Sequence, residues 1–278
     1  LAAYINSPVD DLIFVPNATV GVNLVARSIQ LEPGDEVLAT NHEYGAIDRT
    51  WDFVCEKAGA VYRQQRIDTP ITDAETLIEQ LWAGVTPRTR VIAISHITSP
   101  TALTFPVAEI CKRARAAGVM TVIDGAHVPG QLALDIAAIG ADFYTGNCHK
   151  WLCAPKSAAF LYAHPSHHAW LEPLIISWGY EPGNSFVQFN QWQGTQDVAA
   201  YLSVPAAIDF QQTHDWPSIR TECHALAVAA RERIHQLTGE PFLAPAEWFQ
   251  QMFTVPIPTD DIMALKTRLY DHYKVEVP

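Results

Sequence analysis

A chain of 278 residues, 49% of them hydrophobic and 17% charged, has apolar material for one large core or a large domain with a smaller companion. That excludes a small disulfide-stapled module and a disordered chain. Lys and Arg total 18 against 30 Asp and Glu, a formal net charge of −12. This is the wrong sign for a surface that grips nucleic acid or anionic lipid, so any bound anion has to be held locally.

The five cysteines (Cys55, Cys111, Cys148, Cys153, Cys223) are odd in number and lack Cys-x-x-Cys spacing. They argue against a secreted disulfide frame and a zinc ribbon, and for the cytoplasm. No apolar run approaches the ~18 residues of a membrane span, and the opening Leu1-Ala2-Ala3-Tyr4 has no basic segment ahead of an apolar one. The missing initiator Met, and a finish at Val275-Glu276-Val277-Pro278 inside an expected strand, point to truncation at both ends.

The elements alternate along the chain. Asp11 to Val15 reads as a strand, and Asn17-Ala18-Thr19 then opens a helix with Val22, Leu24, Val25 and Ile29 on its apolar side. Glu36 to Ala39 is a strand, Ala46 to Ala58 a helix stopped by Gly59, Ala60 to Tyr62 extended, and Ala74 to Trp82 helical. Strand Arg90 to Ser95, helix Val107 to Ala117, and strands Met120 to Ile123, Phe143 to Thr145 and Ala158 to Tyr162 follow. Such alternation implies an α/β fold, a mostly parallel sheet with helices on both faces. An irregular stretch through Glu181-Pro182-Gly183-Asn184 leads to a long bridging helix from Pro217 to Leu237. Strand Met252 to Pro256, helix Asp260 to Tyr273 and strand Val275 to Val277 read as part of a small α+β domain. The expected division is therefore a large domain with its bridging helix at 1–238 and the start of a small C-terminal domain at 239–278.

Ligands of open parallel sheets bind beyond the carboxyl ends of the strands. Collected there are Asn17-Ala18-Thr19, His42-Glu43-Tyr44, Ser95 to Ser99, Asp124 to His127, and His149-Lys150-Trp151. Among six lysines Lys150 alone follows an apolar interior strand, and an amine among apolar and cationic neighbours loses proton affinity and becomes a nucleophile toward carbonyls. Asp124 could pair with a pyridinium N–H, Thr19 could hold a phosphate at a helix start, and Tyr44 could stack on a flat ring. Read singly, these residues also fit a surface lysine, a turn aspartate, an ordinary cap and a packed aromatic. The weight lies in their joint order.

The runs Val122-Ile123-Asp124-Gly125-Ala126-His127, Thr145-Gly146-Asn147-Cys148-His149-Lys150-Trp151-Leu152 and Gln193-Gly194-Thr195-Gln196-Asp197 resemble the class V aminotransferase family of pyridoxal phosphate enzymes, of fold type I. Within it, the lysine motif with Ala154-Pro155-Lys156 is most similar to the isopenicillin N epimerase-like branch. The resemblance implies that Lys150 forms the covalent link to pyridoxal 5′-phosphate and that Asp124 pairs with its ring nitrogen. It further implies that His127 lies on the O3′ side, that Tyr44 takes the stacking place usually held by His, and that Ala18, Thr19 and His149 bind the phosphate. Thr195 would reach the phosphate of a neighbouring subunit, making a homodimer part of the site. Ser99 stands where many relatives have Asn or Gln, and Thr98 or Ser99 would contact O3′ instead. The family's substrate-carboxylate Arg and the catalytic Cys of desulfurases would fall beyond this sequence.

The expected activity is chemistry at Cα of an amino acid or a substrate bearing one, as epimerase or C–S lyase, with Lys150, Asp124 and Tyr44 catalytic. Cysteine desulfurase or aminotransferase activity is the alternative within the family. A metal-dependent hydrolase using Asp124, His127, His96, His149 and His42 is the alternative outside it, against which stands the lack of a compact ligand motif. A Schiff-base aldolase barrel fits the terminal α+β segment poorly, and no Gly-x-Gly-x-x-Gly or Walker motif supports a nucleotide binder.

Overall fold

The computed structural model describes residues 1–277; Pro278, the last position of the expected small domain, lies outside the described residues. The strands are β1 (Leu12–Val15), β2 (Glu36–Thr40), β3 (Val61–Gln65), β4 (Thr89–Ser95), β5 (Met120–Asp124), β6 (Phe143–Asn147) and β7 (Ala159–Ala163). They form one sheet in the order β1-β7-β6-β5-β4-β2-β3, in which β7 alone runs against its neighbours. The β2 to β6 pairings are parallel, as the alternation of strand and helix predicts.

Strands buried on both faces must be apolar at every position, and β4 shows how they divide. Val91 and Ala93 face one cluster, and Ile92 and Ile94 the other. Helices α1 (Ala18–Ser28) and α2 (Gly45–Ala58) cover the first face with Val22, Val25, Ile47 and Trp51. Helices α3 (Ala74–Trp82), α4 (Val107–Ala116) and α5 (Ile136–Ile139) cover the second with Leu77, Leu81, Ile110 and Ile136. Helix ends follow local chemistry: Asn17 accepts the Val20 N–H at 2.9 Å to cap α1, and Gly59 at φ 69° closes α2.

Beyond β7 come α6 (Phe186–Gln191), α7 (Ala199–Leu202), α8 (Val204–Thr213), the 23-residue α9 (Trp216–Thr238) and α10 (Ile262–Tyr273). The chain turns back after α9 around Arg231, whose guanidinium lies 4.0 Å over the Phe242 ring and 4.6 Å over Phe249 and donates to the Ala244 carbonyl. The returning segment is tied to the large domain by Ile71 N–H to Leu243 O at 2.8 Å and Thr104 N–H to Trp248 O at 2.6 Å. Trp248 and Ala244 enter the same core cluster as β4 and β5. The strands expected at Met252 to Pro256 and Val275 to Val277 are not formed among the described residues. β-pattern alone does not make a strand; a ladder partner is needed, and neither segment has one here.

One turn controls the approach to the functional rim. After β5 the chain turns through Gly130 at φ +93°, where a Cβ would collide with the Trp151 carbonyl and the Leu152 amide. The missing side chain lets the 125–131 turn lie directly on the backbone that follows Lys150. Gly130→Ala adds both left-handed strain and a backbone clash, with an expected destabilisation of about 3 kcal/mol. Urea unfolding of the two proteins checks this, and an unchanged midpoint would show that the turn can shift freely.

Candidate active site

A cavity of about 480 Å³ opens at the carboxyl ends of the parallel strands. Its wall is built from the start of α1 (Asn17, Ala18, Thr19, Val20), Tyr44 ahead of α2, Ser95, Ile97 and Ser99 from β4 and beyond, Asp124, Ala126 and His127 from β5, and Asn147, His149 and Lys150 from β6. The expected site residues other than Thr98 and Thr195 line this one cavity. Thr195 lies outside it, in the exposed stretch between α6 and α7.

Asp124 ends β5 at 6% exposure. Its Oδ1 accepts the Ala126 N–H at 2.9 Å, and Oδ2 has no hydrogen bond to the described residues. Burial raises its pKa, against the pull of the Ala126 amide and Lys150. Lys150 is open to the cavity but otherwise surrounded by protein, and that desolvation lowers its pKa while Asp124 opposes the shift. Its Nζ stands 3.0 Å from His127 Nε2, and His127 is driven down to about 4 by burial and by the nearby Lys150. The His149 pKa is likewise lowered, mainly by burial; its Nδ1 lies 2.8 Å from the Ala158 carbonyl, so that nitrogen carries a proton.

The start of α1 presents open donors to the cavity, with one change from expectation. The Ala18 N–H is taken by Asn147 Oδ1 at 2.8 Å, a buried bond that pins the helix to the end of β6. The donors left open are the Thr19 N–H and hydroxyl, which have no partner among the described residues. Thr98, one of the two hydroxyls expected near O3′, is fully buried and spent within its turn on Thr101 and Leu103. Ser99 is the exposed one that lines the cavity.

Three residues acquire a role that the sequence does not announce: Asn147 just described, Trp151, whose indole N–H donates to His127 Nδ1 at 3.3 Å, and Glu43. Glu43 is buried at 5% exposure below the loop that carries Tyr44. Its Oε1 accepts from the Thr40 hydroxyl at 2.5 Å, and its Oε2 from the Ser95 N–H and hydroxyl at 2.8 and 2.6 Å. Ser95 is in register with Asp124 across β4 and β5, so Glu43 ties the Tyr44 loop to the strand beside that acid. Burial pushes Glu43 up to about 7, with Asp124 adding to the rise and the Ser95 and Thr40 donors opposing it. The signal in the sequence was a carboxylate lodged between an apolar strand and a helix start.

No group of three His, Cys, Asp or Glu side chains able to hold a metal ion occurs among the described residues. His42 is turned to Thr101 and the Ile67 carbonyl, and His96 to the Tyr144 hydroxyl at 2.9 Å. The donor set instead fits a flat cationic heterocycle with a phosphate: an unpaired buried carboxylate oxygen, an amine of lowered proton affinity, and open N–H and O–H donors at a helix start.

Comparison with known proteins agrees with this geometry. A family model described as Aminotransferase class-V matches residues 1–277. Isopenicillin N epimerase of Amycolatopsis lactamdurans is 35% identical over 100% of this chain and 75% of its own length. A probable chloroplastic L-cysteine desulfhydrase of Arabidopsis thaliana is 29% identical over 97% of this chain and 62% of its own. The solved structure of a C-DES lysine mutant with glycine covalently linked to the PLP cofactor superposes with a TM-score of 0.85 at 21% identity, covering 100% of this chain and 75% of that one.

Glu43 makes stability depend on pH in a defined direction. Its folded pKa of about 7 exceeds the ordinary 4.5, so the folded chain holds a proton that the unfolded chain releases, and stability falls as pH rises from about 4.5 to 7. His96 and His127, both lowered from 6.5 to about 4, act oppositely and raise stability from about pH 4 to 6.5. Wild type minus Glu43→Gln isolates the acid: urea unfolding at several pH values should give a stability difference that changes across pH 4.5 to 7 by up to about 1.4 kcal/mol per unit. A difference constant with pH would rule Glu43 out as the titrating group.

Proposed function

The chain belongs to the class-V aminotransferase family, and we propose that in this pyridoxal phosphate enzyme Lys150 carries the covalent link to the cofactor. It is an enzyme of the fold type I architecture acting at Cα of an amino acid or of a substrate bearing one. The observation that carries the assignment is that, of six lysines, Lys150 alone lines the cavity that also contains buried Asp124.

The other residues follow from their chemistry. Thr19 and His149 would hold the phosphate, Asp124 the pyridine N–H, and His127 and Ser99 the O3′ side, with Tyr44 against the ring. When bound, pyridoxal phosphate supplies an electron sink for charge left at Cα. With the cofactor bound, Lys150 would be the base for the Cα proton, and its lowered proton affinity supports its acting uncharged. Tyr44 is the candidate for returning a proton from the other face, which gives epimerisation. Loss of a β-sulfur without that return gives lyase chemistry. We favour these two over transamination because isopenicillin N epimerase and L-cysteine desulfhydrases are among the relatives.

A homodimer is part of the reading. Thr195 lies in a region rich in exposed apolar side chains, including Ile176, Trp178, Trp192 and Leu202, each more than 60% exposed. Such a surface suits burial against a second copy that receives Thr195 at its own site. The cytoplasm is the proposed compartment, in keeping with five unpaired cysteines. No helix among the described residues is long and apolar enough to cross a membrane. Residues 1–238 and 239–278 are retained as the proposed large domain and the start of the small one.

Borohydride reduction and peptide mapping should place the cofactor on Lys150, and a label on Lys156 or Lys274 would refute the assignment. Asp124→Asn should fold normally and lose turnover by at least ~100-fold, as expected when charge stabilisation confined to the transition state is removed. Full-length enzyme with an amino-acid panel in deuterated water separates the reactions. Cα deuteration with inversion supports the epimerase, a keto acid with sulfide or thiol supports the lyase, and no Cα exchange with any amine substrate removes the reading. Light scattering should give a dimer, and Thr195→Ala should retain cofactor less well.

A further inference from the structure

We propose that Trp151 is a positioning residue that sets the tautomer of His127 and thereby holds Lys150 as an uncharged amine. The inference rests on the reading of Lys150 as the cofactor lysine, and it adds the device that keeps this lysine reactive.

Donors and acceptors fix where the protons sit. An indole N–H can only donate, so the His127 Nδ1 that it meets at 3.3 Å must offer a lone pair. A neutral imidazole with Nδ1 unprotonated carries its proton on Nε2. That Nε2 lies 3.0 Å from Lys150 Nζ. An ammonium has three protons and no lone pair, so it would face Nε2–H proton to proton; only the neutral amine can accept from it. The two contacts together are satisfied only with Lys150 deprotonated. Burial around both groups acts in the same direction. Asp124, Tyr44 and His149 are the other titratable groups on the cavity wall, and among them the Asp124 charge opposes the neutral amine.

Trp151 is itself held from a distance. Its carbonyl accepts from Gln211 Nε2 at 3.0 Å, Gln211 Oε1 accepts from the Tyr4 hydroxyl at 2.9 Å, and the close turn at Gly130 leaves the backbone little room to move. The His127 carbonyl is fixed in turn by Gln131 Nε2 at 2.8 Å. The indole and the imidazole thus meet between two anchored backbones, so their contact is a built feature of the 125–131 turn and the 148–154 loop.

The test reads protons rather than turnover. In the ¹⁵N-histidine-labelled full chain stripped of cofactor, which leaves Lys150 as the free amine, and with the His127 signals assigned from His127→Gln, Nε2 should be protonated and Nδ1 unprotonated at pH 7.5. Trp151→Phe keeps an aromatic ring at this position and removes the N–H donor together with part of the indole's bulk. In it Nδ1–H becomes populated, and modification of Lys150 by an amine-selective reagent, followed on its tryptic peptide, should slow about five- to tenfold at pH 7.5 and recover at higher pH. A wild-type His127 that is protonated on Nδ1, or doubly protonated, overturns the proposal without recourse to any variant. So does a Lys150 modification profile that Trp151→Phe leaves unmoved. If borohydride mapping puts the cofactor elsewhere while the tautomer stands as stated, the functional reading fails and the proton arrangement does not.

Discussion

An acid at the dry end of a parallel sheet must find a partner or take up a proton, and in this chain two acids share that position. Asp124 closes β5, Glu43 reaches across to Ser95 at the close of β4, and the strand register sets Ser95 beside Asp124. The Asp124 charge raises the cost of ionising Glu43. Glu43 accepts three hydrogen bonds and is still pushed up to about 7, whereas Asp124 has one amide partner and the neighbouring Lys150. The floor of the cavity therefore carries an acceptor that the protein itself leaves half used, which is the complement of a protonated ring nitrogen.

That floor is stiff because its members are tied to the core. Tyr144 of β6 packs so closely under Gly125 that a Cβ there would enter its ring, and its hydroxyl meets buried His96. Asn147, at the end of the same strand, holds the first amide of α1. The acid and the lysine thus follow the adjacent strands β5 and β6, the start of α1 is bound to the end of β6, and the lysine loop is further pressed by the Gly130 turn. A reaction at Cα needs base and acceptor aligned to within fractions of an ångström, and rigid elements supply such alignment better than free loops do.

The far end of the chain is held differently. Arg231 is one of two buried residues in the whole of α9, and it binds the returning segment through two aromatic faces and a carbonyl. Ala244 and Trp248 join the core cluster of the large domain, while α10 has no buried residue. The proposed boundary at 239 follows the Gly239 stop after α9, and Ala244 and Trp248 beyond it pack against the large domain.

The order of strands and helices, the rim on which chemistry gathers, and the singling out of Lys150, Asp124 and Thr19 were all legible in the amino-acid order. Periodicity, glycine stops and apolar runs are local properties, and the carboxyl ends of parallel strands point one way whatever the rest of the fold does. What was not legible depends on which groups meet across distances in sequence. The resemblance assigned Ala18 to a phosphate, but its amide is taken by Asn147, 129 positions away, and nothing in the order of residues tied Glu43 of the rim to Ser95, 52 positions on. The two terminal strands kept their pattern but lacked a ladder to join. Hydrogen-bond partners and burial are pairwise quantities created by folding, so a single chain order can nominate the reactive groups but only the tertiary structure determines which of them are already spent.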